Sequence, residues 1–199
     1  MINELLQHKK IILGSQSPRR SQLMSELNIP FEKRVIETDE AYDPHLDPYK
    51  VAEYIAVGKA EAHRSSIAAD EVIVTADCVV ILEGNILGKP KDKAQAVDYI
   101  KRMSDNTHDV VSGVCIMDRN GLTSFSETAT VKMQPLSDQE IQYYIETCQP
   151  YDKAGAYGIQ EWIGHAKIEW IKGTYTCIMG LPTRRLYEEL SLFLKRGDN

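Results

Sequence analysis

The short apolar run Ile11-Ile12-Leu13 passes through Gly14 straight into Ser15-Gln16-Ser17-Pro18-Arg19-Arg20, and this junction constrains the fold more than any other stretch. Three aliphatic residues between polar flanks read as a buried strand. Ser17 then suits a helix N-cap and Pro18 the first helical position, while Leu23, Met24 and Leu27 supply an inward stripe that ends near Asn28-Ile29-Pro30. A strand, a polar turn and a helix in that order form the repeating unit of an α/β fold.

The rest of the chain extends this pattern. Phe31 to Thr38 reads as a second strand ending in the acidic group Glu37, Asp39, Glu40 and Asp43, and Asp47-Pro48 opens a longer helix through Val51, Tyr54, Ile55, Lys59 and Ala62. Lys59 lies four residues beyond Ile55, so its stem shares the core-facing side while its amine can reach a cleft. Glu71 to Thr75 is a β-branched strand meeting Ala76-Asp77, and Cys78 to Leu82 with Ile86-Leu87-Gly88 reads as a hairpin closed by Lys89-Pro90. A helix follows from Asp92 to Met103, then two strands, Val110 to Met117 and Leu122 to Met133, about Asn120-Gly121. Ser137 and Glu140 make a capping box for a helix carrying Ile141, Tyr144 and Ile145. Asp152 to Gln160 is too rich in small residues to be plain core. A strand near Ala166 to Ile171 and a Gly180-Leu181-Pro182 turn lead to a last helix through Leu186, Leu190 and Leu194.

Composition excludes several classes. Apolar residues at 43% and charged residues at 26% of 199 are ordinary for a compact globular chain, which rules against disorder. A formal charge of −6 argues against a nucleic-acid binder, which would offer a basic face to phosphate. No apolar run approaches the roughly 18 residues of a membrane span, and Met1 to Lys10 has no leader pattern, so no membrane partner and a cytoplasmic address are expected. Cys78, Cys115, Cys148 and Cys177 are widely spaced without a CxxC pair, pointing to reduced thiols.

Four groups of residues could carry chemistry. Ser15, Ser17, Arg19 and Arg20 lie where backbone N–H groups and the positive end of a helix dipole converge, a setting suited to phosphate; the same residues equally suit an N-capped helix with exposed arginines. Glu40 and Asp77 are each expected just after a strand, where ligands of α/β proteins gather, and two carboxylates there could hold a divalent ion against phosphate. Lys59 and Lys89 could offset the charge that one ion leaves on a triphosphate. Gln160, beside Gly155 and Gly158, could read a base edge with its amide, or the segment could be a tight connector.

Taken in order, Leu13-Gly14-Ser15-Gln16-Ser17-Pro18-Arg19-Arg20, Thr75-Ala76-Asp77, Leu87-Gly88-Lys89-Pro90, Asp152-Lys153-Ala154-Gly155-Ala156-Tyr157-Gly158-Ile159-Gln160 and Gly180-Leu181-Pro182 resemble the Maf family of nucleotide pyrophosphatases. The resemblance implies a single Maf-like domain over residues 1–199. Its fold would be α/β, Maf/ITPase-like, with two lobes, a central mixed sheet and an active-site cleft. It further implies a divalent cation, Mg²⁺ or Mn²⁺, held by Glu40 and Asp77, with Asp77 as proton acceptor and hydrolysis between the α and β phosphates. Ser15, Ser17, Arg20, Lys59 and Lys89 become substrate binders by the same matching. Arg19 and Gln160 agree with the branch acting on dTTP and UTP, whereas Cys78 replaces a threonine and Glu161 stands where glycine is commoner. A homodimer is also implied. Competing readings are a pyrophosphatase for modified purine nucleotides or 7-methyl-GTP, and a nucleotide-binding regulator of cell division without turnover.

Overall fold

The computed structural model describes residues 2–196. In chain order the elements are α1 (Ile2–Leu5), β1 (Lys10–Leu13), α2 (Pro18–Glu26), β2 (Phe31–Lys33), α3 (Pro48–Glu61), β3 (Glu71–Leu82), β4 (Asn85–Leu87), α4 (Lys93–Met103), β5 (Thr107–Met117), β6 (Leu122–Met133), α5 (Asp138–Cys148), α6 (Trp162–Ala166), β7 (Ile168–Lys172), α7 (Tyr175–Ile178) and α8 (Thr183–Lys195). The strands form a mixed sheet in the order β2-β1-β3-β5-β6-β7, with β4 paired to β3. β1 runs parallel to both β2 and β3, whereas β4 is antiparallel to β3 and β7 to β6. The α/β class with a mixed sheet expected from the sequence is therefore what the chain adopts.

The chain divides into two compact units. The first comprises Met1–Asp77, Ser112–Glu127 and Gly180–Asn199. Its core gathers Ile12 and Ile73 from paired strands, Ala56 and Ala60 from α3, and Cys115 and Met117 from β5, all fully buried. Small residues on α3 let the helix lie close to the sheet. The limit of that approach is Gly113, where an added Cβ would sit 2.2 Å from the Glu53 backbone nitrogen and 2.3 Å from the Ala52 carbonyl carbon. Outside this core, Arg34 and Glu71 form a two-pronged ion pair, one bond measuring 2.9 Å.

The second unit comprises Cys78–Val111 and Thr128–Met179. The inward stripes of its two longer helices, Ala96, Ile100 and Met103 on α4 and Ile141, Tyr144 and Ile145 on α5, are buried. The capping box at Ser137 and Glu140 is present, with both reciprocal bonds made. Two short 3-10 turns, Pro150–Asp152 and Ala154–Ala156, carry the small-residue segment. Gly155 sits there at φ +67°, where an added Cβ would also meet Val80 at 3.0 Å. Its N–H donates to the Gly88 carbonyl at 3.1 Å, which ties this segment to the exit of the β3–β4 hairpin.

Several sequence expectations need correction. The second strand ends at Lys33 rather than Thr38, because its partner β1 stops at Leu13 and Arg34 N–H, donating to the Leu13 carbonyl at 3.3 Å, makes the last pairing. Glu40 therefore lies in an exposed loop well beyond a strand end. Asp77 lies inside β3, because the two strands read as separate at Thr75 and Cys78 are one strand of 12 residues. The strand expected from Ala166 starts at Ile168, since Trp162–Ala166 is helical.

Candidate active site

In the first unit Lys59 joins two acids. Its ammonium lies 2.7 Å from Asp77 Oδ1 and 2.7 Å from Glu40 Oε1, so one cationic point answers two carboxylates. Lys59 and Asp77 have side chains only 15% and 14% exposed, whereas Glu40 at 49% is the open member. The backbone explains why they meet. Thr75, two residues before Asp77 on the same strand face, donates its buried hydroxyl to the Ala56 carbonyl at 2.6 Å, one turn before Lys59 on α3. That bond fixes strand against helix and delivers the lysine to the aspartate. Gly14 leaves the room needed, because an added Cβ there would lie 2.8 Å from Thr75 Cγ2.

Next to this group the polar turn after β1 is organised around Ser15 and Arg20. Ser15 is buried, and its hydroxyl oxygen accepts from Ser17 N–H at 3.3 Å and from Arg20 Nη1 at 3.2 Å. Arg20 Nε donates to the Gly180 carbonyl at 2.9 Å, so the guanidinium is held at both ends. Gly180 has φ +97°, a conformation that explains a glycine at the start of the Gly180-Leu181-Pro182 turn. Ser17 caps α2 and accepts from Arg20 N–H at 3.4 Å, so both readings of this turn hold at once: a capped helix and a cluster of donors. Arg19 is half-buried on the first turn of α2.

The parallel register brings these two groups to one end of neighbouring strands. Leu13 pairs with Val74, and Gly14 N–H donates to the Val74 carbonyl at 2.9 Å, so Ser15 leaves β1 alongside the part of β3 that carries Asp77. The structure thus gathers Ser15, Ser17, Arg20, Glu40, Lys59 and Asp77 within the first unit. Cys78, Lys89 and Gln160 belong to the second. Cys78 is half-buried on β3, next in sequence to Asp77 and on the opposite pleat; Lys89 is exposed just after β4; Gln160 is half-buried in the turn before α6.

The second unit also contains groups that sequence reasoning did not single out as functional. Glu161 takes an ion pair from Lys153 Nζ at 3.0 Å and a short hydrogen bond from the Tyr144 hydroxyl. Burial, followed by the Glu161 carboxylate, pushes the Tyr144 phenol well above its ordinary pKa. His108 Nε2 lies 2.8 Å from the Tyr157 hydroxyl, and burial pulls the imidazole down to about 4. A tyrosine on an otherwise apolar helical stripe, as Tyr144 is, signals a buried hydroxyl that must find a partner.

Among the described residues no cluster of three or more His, Cys, Asp and Glu forms. Glu40 and Asp77, whose hard oxygens both reach the Lys59 ammonium at 2.7 Å, are the residues that could hold a divalent ion of the Mg²⁺ or Mn²⁺ kind. An ion there would complete its shell with phosphate oxygens and water rather than with an all-protein cage.

The Maf-like protein family model matches residues 10–193. The chain belongs to the Maf family. Among relatives of this Maf protein, a dTTP/UTP pyrophosphatase of Porphyromonas gingivalis is 48% identical over 191 residues, covering 94% of this chain and 96% of its own. A dTTP/UTP pyrophosphatase of Parabacteroides distasonis is 44% identical over 191 residues, covering 96% and 99%. The Ham1 protein of Staphylococcus aureus shares the fold with a TM-score of 0.54 over 96% of this chain and 100% of its own, at 13% identity. That last likeness bears on architecture alone.

Proposed function

We propose that this Maf protein hydrolyses dTTP and UTP to the nucleoside monophosphate and pyrophosphate. One observation carries the reading: Lys59 joined to both Asp77 and Glu40 beside the Ser15–Arg20 donor cluster, in a chain similar along almost its whole length to proteins named dTTP/UTP pyrophosphatase. In this reading Ser15, Ser17, Arg19 and Arg20 receive phosphate oxygens at the N-terminus of α2. Asp77, with Oδ1 held by Lys59, takes the proton of the attacking water on Oδ2. The water oxygen bonds to the α-phosphorus, the bond to the bridging oxygen breaks, and its electron pair leaves with pyrophosphate.

A carboxylate is a far weaker base than the hydroxide ion it must generate, so charge stabilisation must supply most of the rate. A divalent ion held by Asp77 and Glu40 would lower the pKa of bound water and offset phosphate charge. Lys59, Lys89 and Arg20 offset the rest. On the family resemblance Cys78 and Gln160 would meet the base, and a thiol in place of a hydroxyl, as a weaker hydrogen-bonding group, would widen the accepted range. A cytoplasmic homodimer belongs to the same proposal on family resemblance, and solution mass tests the dimer.

Incubation with dTTP and Mg²⁺ should give dTMP and pyrophosphate, and dTDP with orthophosphate would refute the cleavage site. Asp77→Asn should lower kcat by about 10³-fold or more while nucleotide binding persists. The same assay run over GTP, 7-methyl-GTP and modified purine triphosphates decides against the purine readings if dTTP and UTP lead.

A further inference from the structure

The segment that carries Gln160 is held by a partly buried network whose key acid is Glu161. Gly158 N–H donates to the Tyr144 hydroxyl at 3.0 Å, Tyr144 donates to Glu161 Oε2, and Lys153 Nζ binds Glu161 Oε1 at 3.0 Å and Asp152 Oδ1 at 2.7 Å. Tyr144 is fully buried and Lys153 is 8% exposed, so neither can exchange these partners for bulk water. Glu161 N–H also donates to the Gly158 carbonyl at 3.0 Å, which closes the turn across residues 158–161. Gly158 is bare where the two side chains fold back over it: an added Cβ would lie 2.9 Å from Glu161 Cδ and 3.1 Å from Gln160 Nε2.

We infer that Glu161 is a positioning residue for base selection, which with Tyr144 and Lys153 clamps the Gly158–Glu161 turn and so aims the Gln160 amide. The inference rests on the proposed function, in which Gln160 meets the base. Each oxygen of the Glu161 carboxylate has its own anchor on a different part of the chain, Tyr144 on α5 and Lys153 in the loop, so the carboxylate fixes both position and rotation of the turn. An amide that must present a donor and an acceptor in fixed order needs such a frame, because a rotated turn offers the same groups in the wrong place. Removing the charge from Glu161 leaves Lys153 buried with Asp152 alone and gives the turn freedom to rotate.

The test uses the full-length protein with Mg²⁺ and compares dTTP, UTP and GTP. Glu161→Gln keeps size and removes charge; Tyr144→Phe keeps the ring and removes the hydroxyl. Each should raise KM for dTTP and UTP by about tenfold with kcat within about twofold, leave GTP nearly unchanged, and so erode discrimination by about tenfold. The double variant should lose no more than the worse single one, since both cut the same clamp. Unchanged dTTP:GTP ratios in the variants overturn the inference, and so does an equal fall in kcat for every triphosphate, which marks general damage. Should Glu161→Gln fail to fold, Tyr144→Phe is judged by the same two criteria. A wild-type protein that does not favour dTTP over GTP also overturns it. If instead Asp77→Asn keeps full activity, the catalytic assignment fails while the dTTP:GTP ratio still judges Glu161.

Discussion

Arg20 makes two hydrogen bonds at once, from Nε to the Gly180 carbonyl and from Nη1 to Ser15 Oγ, and a lysine has no geometry that copies both. Arg20→Lys should therefore keep the charge but lose the aim, raising KM for dTTP by about tenfold with a smaller fall in kcat, as steady-state kinetics would read. Ser15 and Arg20 were legible as part of a polar turn between a strand and a helix, and Asp77 as a carboxylate in a β-branched run, although the run continues as one strand through it. The meeting of Lys59 with Asp77 was legible only in part: helical spacing placed the lysine on the inner face, but its partner depends on how α3 lies across β3. Glu161 was visible only as a departure from a commoner glycine. Its partners, Tyr144 and Lys153, come from 17 and 8 residues away, and no local spacing rule links them.

At the level of elements, α3 rests directly on β5 at Gly113. Gly113→Ala would drive a methyl group into backbone atoms of Ala52 and Glu53, which cannot rotate aside. The variant should lose about 3 kcal/mol or more of stability and much of its activity, since displacing α3 also withdraws Lys59; thermal unfolding and turnover measured together would show both. Helices were the most readable elements. Ser17, Asp47, Asp92 and Ser137 all cap the helices that sequence spacing assigned to them. Strand ends were less readable, for a physical reason. A strand stops where its neighbour stops, so β2 ended with β1 although its own residues would have continued. Conversely β3 runs through Asp77, because a half-buried carboxylate with an ammonium at 2.7 Å need not interrupt a ladder.

For the whole molecule, acid should act in two stages. His63 and His108 are buried and their imidazoles pulled below the ordinary value, chiefly by burial, with His108 reaching about 4. A histidine that is harder to protonate when folded contributes stability that is complete above about pH 6.5 and is lost as pH falls toward the folded value. Glu71, held down to about 2 by the Arg34 guanidinium, keeps its contribution above about pH 4.5 and surrenders it only on further acidification. Stability from urea unfolding measured from pH 8 to pH 3 should thus decline from near pH 6.5, by about 3 kcal/mol for His108 alone, and steepen below about pH 4.5. His108→Gln should flatten the upper limb and leave the lower one in place.

The trio of Glu40, Lys59 and Asp77 has a further consequence for the protein at rest. Two acids brought together without a cation would repel each other. Here the chain supplies its own counter-ion, tethered on a helix and never lost by dilution. The pair can therefore stay assembled through long idle periods, with its acids already placed when a nucleotide arrives.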